Sequence, residues 1–404
     1  MSVTSPPVIT VYLSGFVQGL TLVSFPAVSS VLKQDLGFTD AQYGAIFLPQ
    51  VALAVVGAVA GGSLAQRIGL RPLLVLALAV NALSQLLLAG AAGMGEAAAF
   101  PLVLAATAAL GFGFGLSGAP INNYPPLFFP GQPHAAVVAA HTLIGLGLSA
   151  GPLTAVPFAA GGLWWGFPLL LAAACAALAM AAAVLLPASE AAAAAAAGAA
   201  DKPPVRALMF WIFFVITVLY AFAEGTFANW AVIYLAEGRG LPEMTAGIAL
   251  SVFWGALVAG RLIVSALVTR VRPAMVWAVL PALMIVVFQL LPYAADVVTG
   301  IGLFALAGLA CSAFLPLSIS IASERFPRQV AWVSSMLIAA LMVGVGSGSF
   351  LIGALRGMLD FGELYRISAI YPALVLVMMP LVLRQRPGDR PRAAAVAAHP
   401  ERGH

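Results

Sequence analysis

The sequence predicts an all-α polytopic membrane protein, with twelve transmembrane helices arranged as two six-helix halves around a central cavity. Three observations predict this. Of 404 residues, 62% are hydrophobic and only 8% are charged, against about 25% charged in an ordinary soluble domain. The apolar residues fall into repeated runs of roughly 20, the length that crosses a bilayer as a helix. Short motifs also recur on either side of a central alanine-rich segment. A soluble core of this size cannot cover twelve such runs. A soluble enzyme, a disordered interaction protein and a disulfide scaffold are therefore excluded.

The runs fall at about 8–32, 42–65, 73–93, 98–121, 135–160, 164–187, 207–235, 244–268, 273–294, 298–320, 331–355 and 364–384. They use most of the chain and leave short loops, with no room for a folded domain outside the membrane. The expected units are an N-terminal half over 1–187, a linker over 188–206, a C-terminal half over 207–386 and a polar, flexible tail over 387–404. The linker holds the tract Ala191 to Ala197, and alanine favours helix. Cys175 and Cys311 both lie inside apolar runs and read as small packing residues, not as a disulfide or metal pair. The first run begins near Pro7, lacks a basic flank and continues for about 25 residues. It reads as a span and not as a cleavable signal peptide.

Basic residues set the expected orientation. With the N-terminus in the cytoplasm, the cytoplasmic segments hold Arg67, Arg71, Lys202, Arg206, Arg270, Arg272, Arg325, Arg328, Arg384, Arg386, Arg390, Arg392 and Arg402. The other side holds Lys33, Arg239, Arg356 and Arg366. This bias predicts both termini inside and an even number of spans. The halves echo each other: Leu70-Arg71-Pro72 opens the third run and Val271-Arg272-Pro273 the ninth, while Phe129-Pro130 follows the fourth and Phe326-Pro327 the tenth. Two matches at nearly one offset favour a duplicated unit whose copies rock about a central site. Glycines at 111, 113 and 115, at 145, 147 and 151, and at 344, 346 and 348 fit close helix packing and equally fit interfaces that slide.

Charged and polar residues inside the runs are the candidate machinery. Glu224, in YAFAEGTFANWAVIYL, is the only acid inside any run. A carboxylate in hydrocarbon must face a water-filled cavity, find a partner or take up a proton, so Glu224 is the candidate coupling group. Thr217, Tyr220, Phe227, Ala228 and Ala231 lie within about 60° of it on a helical wheel, with Asn229 and Trp230 flanking. Tyr220, Phe227, Asn229 and Trp230 could bind a small polar ring by stacking and hydrogen bonding, and could equally fill helix contacts. Arg261 stands about nine residues, or roughly 13 Å, before the basic helix end at Arg270. That is too deep for simple snorkelling, so it is expected to pair with Glu224, to anchor its helix or to touch substrate. Gln18, Asn81 with Gln85, and Asn122 with Asn123 are further candidate cavity residues. His141 is a candidate proton relay, with a structural histidine as the plainer reading.

No Walker A sequence, zinc-ligand cluster or hydrolase elbow occurs in the chain, so ATP-driven transport, metalloenzyme chemistry and hydrolysis are disfavoured. No cofactor or metal is expected, and the chain does not read as an enzyme. A channel would need a selectivity ring that is not evident.

The loop GGSLAQRIGLRP resembles the Gly-x-Leu-(Ala)-Asp-Arg-x-Gly-Arg-Arg/Lys pattern of the major facilitator superfamily, through Gly62, Leu64, Ala65, Arg67, Gly69 and Arg71. Gln66 replaces the usual acid and Leu70 a basic position. The resemblance covers about 8–384 and implies a tight turn with gating arginines at Arg67 and Arg71. HTLIGLGLSAGP at 141–152, AEGTFANWAVIYL at 223–235 and FWGALVAGRL at 253–262 are most similar to the fucose and glucose/galactose proton-symporter branch. That resemblance implies a proton-coupled carrier of a sugar or related metabolite in a bacterial-type inner membrane. The membrane acids of the fucose carrier do not map here, since the first run carries Gln18 and the fourth Asn122 and Asn123. A drug or metabolite exporter of the same fold is the second reading, and a non-transporting sensor or scaffold the third. The expected partners are a small-molecule substrate, protons and lipid, without nucleic acid, for a protein acting as a monomer.

Overall fold

The computed structural model describes Ser2 and residues 4–187, 204–268 and 270–383. Most of the expected linker, 188–203, and the whole tail, 387–404, lie outside the described residues, as do Lys202, Arg384, Arg386, Arg390, Arg392 and Arg402. The described chain is helical almost throughout. Its first part holds α1 (Pro6–Leu22), α2 (Ser24–Ala27), α3 (Ser29–Gln34), α4 (Asp40–Ala45), α5 (Phe47–Ile68), α6 (Leu70–Gly90), α7 (Glu96–Phe128), α8 (Pro133–Ala160) and α9 (Gly166–Leu185). Its second part holds α10 (Leu208–Ile233), α11 (Glu243–Leu267), α12 (Pro273–Leu290), α13 (Val297–Cys311), α14 (Phe314–Arg325), α15 (Val330–Leu355), α16 (Phe361–Ser368) and α17 (Ile370–Leu383).

Local chemistry explains several boundaries. Thr39 with Gln42, Asp296 with Thr299 and Asp360 with Glu363 form reciprocal capping boxes at the starts of α4, α13 and α16, each meeting backbone N–H groups that a helix start leaves unpaired. Between α5 and α6 the chain turns at Gly69, where φ is +84°, a conformation other residues avoid. Prolines set the interruptions. A proline lacks the N–H that would bond the carbonyl four residues earlier, and its ring crowds that carbonyl. Helices stop at Leu22, Ala45, Cys311 and Ser368, and Pro26, Pro49, Pro316 and Pro372 follow within four or five residues.

Among the described residues, eleven helical stretches are long and apolar enough to cross a bilayer, and the chain is a multi-pass membrane protein. The first expected span, 8–32, is a correction. It is not one helix but a 17-residue α1 followed by the short α2 and α3, because Pro26 interrupts the ladder. Large apolar side chains point away from the protein, with Val184 and Val298 each 80% exposed, as a lipid-facing surface requires.

The helix pairings before 188–203 recur after it. α1 packs on α8 as α10 packs on α15, α5 on α7 as α11 on α13, and α6 on α9 as α12 on α17. Across the two sets, α4 and α5 meet α15, and α8 meets α11. Close approach depends on glycine: a Cβ on Gly19 would fall 2.0 Å from the Ile144 carbonyl, and one on Gly147 would fall 2.0 Å from the Phe16 carbonyl. Such backbone contact lets helices associate where no hydrophobic effect drives them together.

Gly147→Val is therefore expected to destabilise the protein by about 1–3 kcal/mol or more, read as a fall in melting temperature in detergent. Gly62→Ala, where nothing lies within 4 Å of the added methyl, should melt like the parent.

Candidate functional site

Two places gather the polar side chains that the membrane would otherwise reject. The first surrounds the break between α13 and α14. Pro316 withholds the N–H that would have bonded the Ser312 carbonyl, and Arg261 supplies the replacement: its Nε donates to that oxygen at 3.0 Å. One residue earlier, the Tyr220 hydroxyl lies 2.8 Å from the Cys311 carbonyl. The same hydroxyl also donates to a Glu224 carboxylate oxygen. Tyr220 stacks on Phe314 with ring centroids 4.6 Å apart, which fixes the phenol at the break. Glu224 is buried but retains 8% exposure. Glu224, Tyr220, the two carbonyls and Arg261 thus form one connected group across α10, α13 and α11.

The expected direct pairing of Arg261 with Glu224 is not found. No ion pair within 4.0 Å joins them among the described residues, because each is held by a different group at the break. Arg261 is instead brought toward His141 by the α8–α11 contact. Val156 faces Gly247, Ser149 bonds the Ser251 carbonyl at 2.9 Å, and Gly145 faces Val258. Continuing this antiparallel register by one turn sets His141 opposite Arg261. His141 is exposed, and its Nε2 lies 2.9 Å from the Asn122 side-chain oxygen.

The second place closes one end of the helix assembly. Lys33 lies between Asp40 and Glu237, 2.5 Å from each, and Arg356 approaches Asp40 at 3.5 Å. Arg356 also sits over the Phe361 ring, 3.9 Å from its centroid. Gln34 donates to Glu243 at 3.0 Å. Just beneath, the Tyr43 hydroxyl donates to the Asn229 carbonyl at 2.6 Å, and Tyr43 meets Trp230 edge-on. The sequence reading missed Asp40, Glu237 and Tyr43 here and counted Lys33 and Arg356 only as loop charges. The available signal was that all four charged residues sit at helix ends expected on one side of the membrane.

The remaining candidates are distributed differently. Phe227 is fully buried and stacked on Phe288 at 4.1 Å. Trp230 and Asn229 both bond Ser349 on α15, at 3.1 Å and 2.7 Å. These three therefore sit in helix packing beneath the ion-paired end. Gln18 donates to Ser117 at 2.6 Å and Gln85 to Ser24 at 3.2 Å, while Asn81 lies against Gly113. All three bridge helices of the first part. Asn123 bonds the Ala119 carbonyl on its own helix at 2.8 Å. Arg67 is exposed, and Arg71 reaches the Leu186 carbonyl at 3.4 Å within the first part. A depression of about 570 Å³ among Asp35, Met94, Trp164 and Trp165 opens near the ion-paired end, distant from Glu224 and Arg261. Among the described residues no group of histidine, cysteine and acid side chains could hold a metal ion.

The sequence profile of the Major Facilitator Superfamily matches residues 11–299 and 213–402. The chain belongs to that superfamily. Its fold is that of a secondary transporter moving small molecules across a membrane, a non-catalytic class. A stretch of 181 residues is 32% identical to the uncharacterised transporter y4wD of Sinorhizobium fredii (strain NBRC 101917 / NGR234), covering 42% of this chain and 45% of that protein's length. The structure resembles the nucleoside transporter NupG with a TM-score of 0.74 at 16% identity, covering 94% of this chain and 99% of that one. It also resembles a bacterial homologue of the human lysosomal transporter Spinster, in an inward-facing and occupied conformation, with a TM-score of 0.71 at 12% identity, covering 93% and 95%. These likenesses do not single out the fucose and glucose/galactose branch.

Two predictions follow from this superfamily member's side-chain arrangement. Arg261→Met should cost about 1.5–3 kcal/mol, the worth of a hydrogen bond from a charged group. Pro316→Ala returns a backbone N–H to the break, so at least half of that loss should vanish in its presence; a double-mutant cycle of detergent melts reads this. At the ion-paired end, Asp40→Asn should weaken closure by roughly 1 kcal/mol. Labelling of Ser349→Cys by an impermeant maleimide should then rise about fivefold, the ratio that energy represents.

Proposed function

We propose that the protein is a secondary active transporter that moves a small polar solute by proton-coupled alternating access. In this reading residues 1–187 and 207–386 are two six-helix halves, with the broken α1–α3 segment as the twelfth span. Both termini face the cytoplasm of a bacterial-type inner membrane, and one chain is the working unit. The recurrent helix pairings support the two halves. Among the described residues, bonds that join them include Lys33–Glu237, Asp40–Arg356, Gln34–Glu243, Tyr43–Asn229 and Ser149–Ser251. They lie between the middle of the membrane and the ion-paired end. This fits a state closed outside, with the Asn122–His141–Arg261 wall facing inward.

The observation that carries proton coupling is the shared Tyr220 hydroxyl. It has one hydrogen and two acceptors within reach, Glu224 and the Cys311 carbonyl. When Glu224 is ionised the hydrogen is drawn to the carboxylate. When Glu224 is protonated, the acid can donate to the phenol and the phenol to Cys311. A proton on α10 thereby changes the hydrogen bonding of a helix break on α13–α14, and a break is where a helix can bend.

Glu224→Gln keeps the volume and removes the titration. It is expected to abolish solute accumulation driven by a proton gradient in reconstituted vesicles while leaving solute exchange within about twofold of the parent. Unchanged proton-driven accumulation would refute the coupling role. Assays in both vesicle orientations also separate uptake from export. The NupG likeness, at 16% identity, reaches the fold alone, so the class of cargo must be argued from side chains.

A further inference from the structure

Among the described residues Arg261 carries a charge with no acidic partner. A helical side chain leans toward the N-terminus of its helix, which on α11 carries the guanidinium away from the Arg270 end and into the membrane. There its Nε is committed to the Ser312 carbonyl. Among the described residues its two terminal nitrogens have no hydrogen-bond partner, and no carboxylate lies within 4.0 Å. Glu224, the one acid in the region, is engaged by Tyr220 on the far side of the break. A second donor stands on the same stripe of α11. Trp254 is seven residues before Arg261, two turns away on one face, and its indole N–H is buried with no acceptor. Between them, Val258 closes on Gly145, and the same α8–α11 register places His141 opposite Arg261.

Resting on the carrier reading above, we infer that the cargo is a small organic monocarboxylate whose carboxylate seats on the terminal nitrogens of Arg261, with Trp254 donating to a second acceptor on the same molecule. The surplus on this face is of donors, so the ligand must bring acceptors. A planar guanidinium with Nε occupied still presents two parallel N–H groups, the geometry a carboxylate accepts with both oxygens. The charge count selects a monoanion, because among the described residues Arg261 supplies the one unmatched guanidinium on this wall. A neutral cargo would leave that charge unanswered at membrane depth.

The test uses the full-length protein in proteoliposomes with matched pairs that differ only in charge: lactate against lactamide, and benzoate against benzamide. Glycerol 3-phosphate and uridine serve as a dianion and a neutral solute. At least one carboxylate should be taken up saturably, with its amide tenfold or more weaker as a competitor. Arg261→Lys should weaken that carboxylate tenfold or more, and Trp254→Phe about threefold. The carboxylate–amide comparison is made on the unaltered protein, so a poorly folding Arg261 variant does not remove the test. Equal competition by amide and carboxylate, or transport of glycerol 3-phosphate and no carboxylate, overturns the inference. Proton-driven uridine accumulation without any carboxylate transport overturns it while leaving the carrier reading intact. If no solute moves, both fall.

Discussion

The hydrogen bond from Arg261 to the Ser312 carbonyl joins two costs that hydrocarbon imposes. A backbone carbonyl without a donor is unfavourable there because no water can replace the missing bond, and a guanidinium is unfavourable because its charge is poorly solvated. Pro316 creates the first problem and Arg261 answers it, at 3.0 Å. The preceding carbonyl, Cys311, lies within reach of the Tyr220 hydroxyl, which brings Glu224 into the same group. The two charged residues deep in the spans, Glu224 and Arg261, are therefore gathered at one helix break. A break held by side chains is also easier to rearrange than a continuous ladder, since a single side-chain movement changes its bonding.

The ion-paired end supplies the opposite quality. Glu237, Lys33, Asp40 and Arg356 alternate in sign along their contacts, and Tyr43, Trp230 and Phe361 pack directly beneath. Partly exposed charges of this kind contribute little individually. Their placement across two sets of helices makes them suited to holding one end shut reversibly. The α8–α11 contact continues the junction as far as Gly145 and Val258. Beyond it stand His141 and Arg261.

Much of the fold was legible in the chain because hydrophobic length is a direct consequence of bilayer thickness. Eleven of the twelve expected runs correspond to continuous or gently interrupted helices. Pro26 interrupts the first. Prolines did not announce their own effect, however. Pro101, Pro120, Pro152 and Pro281 lie within continuous helices, whereas Pro26, Pro49, Pro316 and Pro372 follow breaks. A proline removes the same donor in each case, and only the neighbouring helices decide whether the freed carbonyl is better served by a bend or by a break. The polar candidates divide in the same way. Glu224 and Tyr220 share a face by periodicity and share a bond in the structure. Phe227, Asn229 and Trp230 lie on or beside that face and are taken up by α12 and α15 instead, since a helical wheel has no neighbours.

The sequence by itself determined the solvent and the scarcity of charge. At 8% charged residues the chain must live in lipid, and each charge retained in a span needs a partner or water. Glu224 and Arg261 stood out on that ground alone. Tertiary structure decided what they meet. They do not pair with each other, but with Tyr220 and with a carbonyl released by Pro316, a partnership that joins α10 and α11 to the break between α13 and α14. Hydrophobic burial depends on composition and period, which a linear sequence carries. Hydrogen bonding depends on position to a few tenths of an ångström, which only the packed helices supply.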